Sequence, residues 1–378
     1  MIFDVPIKWH ENIGVDFLNE DDCPFNAMDY ACPKFEIPKV NAAGRRLVSY
    51  FNGTEDSIGD SIDIIDNWRA SHSYPLNVFY LTLKNRAKKI HNHSATAQRI
   101  KRVPSIAYKL FESKREHPDK PMKLSQMQDI GGCRAIMPTI KHTQEICALY
   151  LSGSLSHEYL GMKDYISHPK KTGYRGIHLK YRYVGNGDKA IYSGMKIEVQ
   201  LRTLLQHTWA TAVEMAGTFT DQALKSNRGR SEWLRFFALM GSVFAIREGC
   251  PTVPDTPSGM DSLKSEIKEL NNNYHIASVL AGYTAIIPQV TNGGKDKYFL
   301  VNLNPIDKTL SIIGFRKNES QEANRAYTEA EKSLDKDSPN QVVLASADSA
   351  RDLRKAYPNY FLDTSRFLAE VEAIIREV

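Results

Sequence analysis

The sequence predicts an α+β fold in which a mixed β-sheet is flanked by helices and followed by a second, smaller α+β domain. Residues 130–138 form a short apolar run bounded by Gly and Pro, as in a buried strand. Residues 175–184 and 195–202 alternate apolar and polar side chains, as half-buried strands do. Helical periodicity flanks these strands, and the Pro/Gly-rich segment 250–259 separates two such regions.

Helices are predicted on both sides of the first strand. Apolar residues recur at roughly helical spacing in 56–68, 75–90 and 105–114. Pro75 suits a first helical turn, because its missing N–H would have no partner there. Residues 143–151 then predict a helix that crosses back to the sheet.

A β-hairpin is predicted for the second part of the sheet. Residues 185–188 (Gly-Asn-Gly-Asp) have the composition of a turn between the two alternating segments. Periodicity over 204–216 and 231–248 predicts two helices, which end before the Pro/Gly-rich segment.

Two domains are expected, because 378 residues exceed one ordinary core at roughly 100–200 residues per domain. The Pro/Gly-rich segment 250–259 serves as the linker, so the predicted domains are 1–255 and 260–378. The second begins with a helix, continues with two strands joined at Asn304 and Pro305, and ends with a helix, a strand and a closing helix. This order predicts a small α+β domain.

Composition indicates a folded, cytoplasmic protein. The chain is 42% hydrophobic and 25% charged, as folded soluble proteins are. No apolar run reaches membrane-spanning length, and the first residues lack the basic-then-apolar order of a signal peptide. The five cysteines are odd in number and scattered, so neither a zinc site nor a disulfide framework is expected.

Basic residues are concentrated in one part of the chain. The net charge is +5, and residues 67–111 contain no Asp or Glu while holding several Lys and Arg residues. Such a block raises the local positive potential and favours partners that carry phosphate, although a charge run is also typical of a solvated face.

Three segments combine charged residues with glycine or strand context. In 128–134, Asp129 and Arg134 flank two glycines; the acid could hold Mg²⁺, or the segment could be a turn with a surface ion pair. Residues 163–178 join cations, aromatics and glycine, which suits phosphate and base recognition or a basic surface loop.

The third segment, 198–203, places Glu198, Gln200 and Arg202 on one face of a strand. These side chains could face solvent or line a cleft, and the pattern does not choose between the two. The helix that follows offers His207, Trp209 and Glu214, which are more typical of packing than of chemistry.

In this order the segments resemble the synthetase domain of RelA/SpoT homologues, which make the alarmone (p)ppGpp, over roughly residues 95–215. The motifs that carry the resemblance are Arg99-x-Lys101 with Ser105-Ile106, Asp129 to Arg134, Lys163 to His178, and Glu198 to Thr203 with His207. The resemblance implies a nucleotidyltransferase-like fold and attack by a ribose 3′-hydroxyl on the β-phosphate of ATP, releasing AMP.

The resemblance also assigns roles to residues. Asp129 and Glu198 would be catalytic and would hold Mg²⁺, and Glu198 could also accept the proton of the attacking hydroxyl. The remaining residues divide into an ATP side, with Arg99, Lys101, Ser105, Lys109 and Arg134, and an acceptor side, with Lys163, Lys170, Lys171, Tyr174, His178, Gln200 and Arg202.

Within this family the chain is most similar to the small alarmone synthetase-like toxins (toxSAS), and among them to the fused toxin–antitoxin CapRel group. That resemblance implies a C-terminal domain with a zinc-free, zinc-finger-like fold, and autoinhibition through Tyr357 and Tyr360. The implied acceptor is the 3′ CCA end of tRNA, and the implied trigger is a phage protein, typically the major capsid protein.

Other hypotheses stay open at this point. The main alternative is a (p)ppGpp or (p)ppApp synthetase that uses a free nucleotide. A catalytically dead module that binds nucleotide or RNA is another, against which the intact Asp129 and Glu198 argue. The tail beyond residue 260 could also be merely structural.

Overall fold

The structure is a computed structural model, and it divides into two compact units that are described separately. It describes residues 30–153, 155–223, 230–292, 296–304, 307, 309–334, 340–346 and 360–376. The first unit comprises Met1–Ala135, Gln144–Lys163 and His178–Leu201, and the second comprises Ile136–Thr143, Asp164–Ile177 and Arg202–Val378.

The first unit is built on a five-stranded sheet with strand order β1-β2-β5-β4-β3. The prediction of an α+β fold with a mixed sheet flanked by helices is confirmed. The elements are α1 (Ile37–Phe51), α2 (Ser61–Ser71), α3 (Ser73–Ile90), β1 (Ala95–Ile100), α4 (Val103–Glu116), β2 (Gly131–Met137), α5 (Ile140–Leu151), β3 (Glu158–Asp164), β4 (Ile177–Arg182) and β5 (Lys196–Thr203).

The start of β2 is closely packed. A Cβ on Gly131 would lie 2.8 Å from Cδ1 of Ile197 on the neighbouring strand β5, so that a larger residue would displace this buried side chain. Alternate residues of β5, namely Ile197, Val199 and Leu201, are completely buried. This strand therefore lies at the centre of the sheet and holds its polar residues in fixed positions.

The connection between β4 and β5 is longer than the predicted tight turn. Residues Gly187–Tyr192 form a 3-10 helix, which ends on the buried Tyr192. The ring of Tyr192 stacks on that of Tyr74, with centroids 4.9 Å apart. The additional residues thus insert an aromatic ring against α3, which the turn composition at 185–188 did not indicate.

The second unit consists of helices around a three-stranded antiparallel sheet of order β7-β6-β8. Its elements are α6 (Leu204–Ala223), α7 (Arg230–Arg247), α8 (Met260–Tyr274), α9 (Ile276–Asn292), β6 (Asp296–Asn304), β7 (Thr309–Arg316), α10 (Ser320–Lys332), β8 (Gln341–Ser346) and α11 (Tyr360–Arg376). Helices α6, α7, α8, α9 and α11 and strand β6 share one hydrophobic core.

The Pro/Gly-rich segment 250–259 is packed against α7. Val253 is only 1% exposed, and its N–H donates to Oγ of Ser242 at 2.9 Å. Arg235 donates to the backbone oxygen of Asp255 at 2.6 Å. The predicted boundary between residues 255 and 260 stays a prediction, but the chain on both sides of it belongs to one compact unit. Within the described ranges, no helix combines the length and apolar character that a membrane span requires.

Candidate active site

Asp129 lies just ahead of β2 and is held by two lysines. Its carboxylate accepts from Lys109 Nζ at 2.7 Å and from Lys101 Nζ at 3.1 Å. Lys101 follows β1, and its backbone N–H donates to Ile130 O at 2.8 Å, which ties the end of β1 to the segment that carries Asp129. Lys109 comes from α4. Two basic residues of the predicted ATP side therefore converge on one acid.

The net effect of these contacts is to keep Asp129 ionised. Burial alone would raise its pKa, and the negative charge of Glu198 acts in the same direction. The positive charges of Lys101 and Lys109 outweigh both, so that the pKa of Asp129 lies below its ordinary value. The influence of Glu198 also shows that the two carboxylates sense one another electrostatically.

Glu198 on β5 is buried and is oriented by two hydrogen bonds. Nδ1 of His178 on β4 lies 3.0 Å from Oε1, and Nε2 of Gln200 donates to Oε2 at 2.6 Å. Only 11% of the Glu198 side chain is exposed. The strand pattern left open whether the polar face of β5 is exposed to solvent. At Glu198 this face is buried.

The surroundings of Glu198 favour its ionised form. Burial raises the pKa of this carboxyl, but the hydrogen bond and charge of His178 and the hydrogen bond from Gln200 lower it to about 2. Glu198 is consequently a carboxylate at any physiological pH, available to a cation.

The depressed pKa of Glu198 should make stability depend on pH. A group with a lowered folded-state pKa stabilises the fold above its unfolded value near 4.5, and this contribution is lost as the pH falls towards about 2. The full contribution is on the order of 3 kcal/mol. Between pH 6 and pH 3, the free energy of unfolding measured with urea should therefore fall further in the natural protein than in Glu198→Gln. Equal falls in the two proteins would contradict the assigned pKa.

The two carboxylates fit a magnesium site. Both are ionised oxygen donors, and Mg²⁺ typically takes one or two carboxylates together with substrate phosphates and water. Among the residues that the structure describes, no cluster of three or more His, Cys, Asp or Glu could hold a metal ion by itself. A cation at Asp129 and Glu198 would take its other oxygen ligands from a substrate or from water.

The other predicted ATP-side residues also lie in the first unit. Arg99 is exposed on β1, Ser105 is half-buried in the first turn of α4, and Arg134 is buried on β2. Lys163, predicted for the acceptor side, is exposed near the end of β3.

In the second unit, the loop Asp164–Ile177 places Tyr174 between two cations. Nζ of Lys170 lies 5.3 Å from the centroid of the Tyr174 ring, and the Arg202 guanidinium carbon lies 5.0 Å from it. Arg202 also donates to the Tyr174 hydroxyl at 2.8 Å. Lys171 instead pairs with Asp255 at 2.8 Å, with both side chains largely exposed. The structure thus joins three of the predicted acceptor residues and leaves Lys171 in a surface ion pair.

Glu248 supports the base of this loop, although no sequence motif contains it. It accepts from the buried Arg175 at 2.6 Å and from Gln206 at 3.2 Å, and Thr203 also donates to it. The loop, the start of α6 and the residue after α7 are thereby fastened together. Gly173 has φ +95°, and a Cβ there would lie 2.7 Å from the Phe237 oxygen, so the loop closes on α7 only with glycine.

Glu248→Gln is expected to destabilise the second unit by about 3–5 kcal/mol, because Arg175, only 2% exposed, would keep a buried charge without its counter-ion. Urea denaturation followed by tryptophan fluorescence would measure this. The control is Glu266→Gln, whose partner Arg235 is partly exposed, and we expect a loss of at most about 1 kcal/mol there. Equal losses in the two variants would contradict a supporting role for Glu248.

Part of the chain is similar to a known protein family. Residues 98–221 match the family described as "Region found in RelA / SpoT proteins". We call these residues the RelA/SpoT region, after the family that they match. It contains Asp129, Glu198 and every predicted ATP-side and acceptor-side residue, whereas Glu248 lies outside it.

Two curated relatives of the RelA/SpoT region come from Bacillus subtilis (strain 168). GTP pyrophosphokinase YwaC is 32% identical over 125 residues, which are 32% of this chain and 58% of the relative. GTP pyrophosphokinase YjbM is 30% identical over 116 residues, which are 30% of this chain and 51% of the relative. The chain therefore spans between half and three fifths of the length of these relatives.

Solved structures of small alarmone synthetases from Bacillus subtilis are also similar to the chain. Synthetase 1, bound to its product pppGpp, is 19% identical with a TM-score of 0.40, covering 49% of this chain and 92% of that one. Synthetase 2 is 20% identical with a TM-score of 0.39, covering 49% and 94%.

The predicted regulatory tyrosines lie beyond the RelA/SpoT region. Tyr357 falls outside the described residues, and Tyr360 is the first residue of α11, with its side chain outside the description. Within the region, Trp209 is 4% exposed and donates from Nε1 to Phe237 O at 2.8 Å, which agrees with a packing role.

Proposed function

We propose that the chain is an ATP-dependent pyrophosphokinase that transfers the terminal pyrophosphate of ATP to a ribose hydroxyl. The observation that carries this proposal is the pair of ionised carboxylates, Asp129 and Glu198, each with its own set of donors inside the RelA/SpoT region. Phosphoryl transfer depends mainly on positioning the reacting groups and on offsetting the negative charge of the phosphates. Lysines and a metal ion held by fixed carboxylates can do both.

Asp129 and Glu198 would hold Mg²⁺, which when bound supplies positive charge to phosphate oxygens. Lys101 and Lys109 now offset the charge of Asp129, and a metal ion in their place would free both ammonium groups for the triphosphate. His178 and Gln200 fix the orientation of Glu198. A pKa of about 2 makes Glu198 a weak base, so we assign it to metal binding ahead of proton acceptance.

For the acceptor we propose the 3′ end of tRNA, so that transfer would block translation. The acid-free, basic segment 67–111 supports this choice, because an acceptor stem needs a cationic track whereas a free nucleotide needs only a pocket. The second candidate is synthesis of (p)ppGpp or (p)ppApp from a free nucleotide. The names of the two relatives, both GTP pyrophosphokinases, favour it.

A transfer assay separates these candidates. ATP labelled in its terminal phosphates would be offered to the purified protein with deacylated tRNA, GDP, GTP or ATP as acceptor, at several salt concentrations. Label at the tRNA 3′ end that declines as salt rises supports the tRNA proposal. Label in a nucleotide supports the alternative, and no transfer to any acceptor, with Tyr360→Ala included, would contradict a pyrophosphokinase.

We also propose that the C-terminal region holds the enzyme inactive until a phage protein, such as a major capsid protein, binds it. The supporting feature is the Tyr357-Pro358-Asn359-Tyr360 pattern, whose rings would mimic adenine at the ATP site. A trigger would act by binding the open state better than the closed one.

If this is correct, Tyr360→Ala should raise basal transfer and make expression toxic, at unchanged thermal stability. Transfer assays and growth curves would measure both effects, with Tyr274→Ala, an exposed tyrosine of α8, as the matched control. A silent and well-folded Tyr360→Ala protein would contradict the mimicry.

A further inference from the structure

Strand β4 carries a third polar residue beside the candidate carboxylates, and neither the sequence motifs nor the proposed mechanism uses it. Ile177, Leu179 and Tyr181 are buried, so His178, Lys180 and Arg182 share the opposite face of the strand. His178 contacts Glu198 at 3.0 Å, and Arg182 pairs with Glu158 at 2.6 Å. Each neighbour of Lys180 on this face therefore has an acidic partner.

Lys180 itself is half-buried, and its side chain makes no hydrogen bond or ion pair within the described part of the chain. Its ammonium group lies in the combined field of Lys163, Lys109, Glu198 and Asp129. Burial lowers the pKa of Lys180, and the like charges of Lys163 and Lys109 lower it further, against the opposing effect of the two carboxylates. A charged ammonium in this position is unfavourable in free energy, because burial removes water without providing a counter-ion in contact with it.

The charges around the site are unbalanced in the direction of an anionic ligand. The charges that contact Asp129 or act on Lys180 belong to four lysines and two carboxylates, namely Lys101, Lys109, Lys163 and Lys180 with Asp129 and Glu198. A magnesium ion at the carboxylates would increase the positive excess. A polyphosphate chain is the kind of ligand that matches several ammonium groups and a divalent cation at once.

We propose that Lys180 binds a phosphate group of a substrate, as a cation whose counter-ion arrives only with that substrate. This inference rests on the proposed function for the identity of the substrate, but the phosphate chemistry follows from the charges around Lys180 alone. The bound phosphate belongs either to the triphosphate of ATP or to the acceptor, and the two sources are distinguishable by experiment.

The test compares Lys180→Met and Lys180→Arg with Lys180 by calorimetry, each in the natural protein and in the Tyr360→Ala background, because the proposed autoinhibition would close the ATP site. The probes are inorganic tripolyphosphate and the ATP analogue AMPCPP, each with Mg²⁺. We expect Lys180→Met to weaken binding of tripolyphosphate at least about tenfold, as the loss of one charge-assisted contact implies. Lys180→Arg should restore most of it. The control is Lys189→Met, whose ammonium lies over the Tyr74 ring at 4.7 Å, and its affinities should not change.

The outcomes separate the proposal from the function on which it rests. Weaker AMPCPP binding in Lys180→Met assigns the phosphate to ATP, and an increased acceptor KM with unchanged AMPCPP affinity assigns it to the acceptor. Tripolyphosphate binding that depends on Lys180, in a protein without transferase activity in either the natural or the Tyr360→Ala background, would support the phosphate site while rejecting the pyrophosphokinase. Unchanged affinities and KM values in Lys180→Met would overturn the inference. The melting temperature of Lys180→Met should be equal to or above that of the natural protein. If Lys180 stabilised the fold, its replacement would lower the melting temperature instead.

Discussion

Replacing Glu198 by Gln is expected to reduce pyrophosphate transfer by on the order of 10³-fold, equivalent to about 4 kcal/mol of transition-state stabilisation. The amide keeps the size of the side chain and one oxygen, but it removes the negative charge that would hold a metal ion. Steady-state transfer from labelled ATP at several Mg²⁺ concentrations, with the variants made in the Tyr360→Ala background, would measure the effect. We expect Asp129→Asn to lose activity to a similar extent, since it removes the second carboxylate.

The matched control is Glu158→Gln on β3, an exposed acid of the same unit that pairs with Arg182. Its transfer rate should stay within about twofold, because exposed ion pairs contribute little. Full activity in either carboxylate variant of the site would reject the assignment of Asp129 and Glu198. If the transfer rate of Glu158→Gln fell as far as that of Glu198→Gln, the effect would come from the loss of any negative charge and not from this site.

The second large effect is expected from Phe367→Ala in α11. Phe367 is completely buried, with its ring centroid 5.8 Å from that of Phe237 and 5.9 Å from that of Phe244, both on α7. Truncating a buried phenylalanine leaves a cavity and typically costs about 3–5 kcal/mol. Chemical denaturation should detect this loss, and limited proteolysis should show earlier cleavage of the second unit.

Leu234→Ala provides the control, because Leu234 is on α7 but is 52% exposed, and its loss should stay within about 0.5 kcal/mol. By the same argument, deletion of residues 260–378 should expose the buried faces of α6 and α7 and give an insoluble product. A soluble, folded truncation would contradict the shared core. This is why the single variant Tyr360→Ala is a better test of autoinhibition than deletion.

Local patterns were sufficient for much of the fold. The strand at 130–138, the helix at 105–114 and the two strands joined at Asn304 and Pro305 were predicted from periodicity, and each is present. Helix α9 was missed. Its sequence, IASVLAGYTAIIPQVTN, is largely apolar and contains a glycine and a proline, which disfavour a helix interior, and Ile276, Val279, Leu280 and Tyr283 are all completely buried.

Site residues were predicted where a short motif contains them. Asp129, Lys101 and Lys109 come from separate segments and meet in the structure, and His178 and Gln200 both contact Glu198. Glu248 could not be found in this way, because its partner Thr203 is 45 residues away in the chain and only the tertiary fold joins them. Lys180 left a weak signal, since strand alternation places it on the same face as His178.

The shared core of the second unit also has a consequence for how the chain is made. The loop Asp164–Ile177 packs on α7, and α7 packs on α11, whose residues follow the loop far along the chain. At roughly 5–20 residues per second, a ribosome needs about 10–40 s to progress from the end of the loop to the end of α11. During that interval the nascent chain holds Lys170 and Tyr174 on a loop whose support is incomplete. We therefore expect a chaperone that shields exposed α7 to increase the yield of active protein.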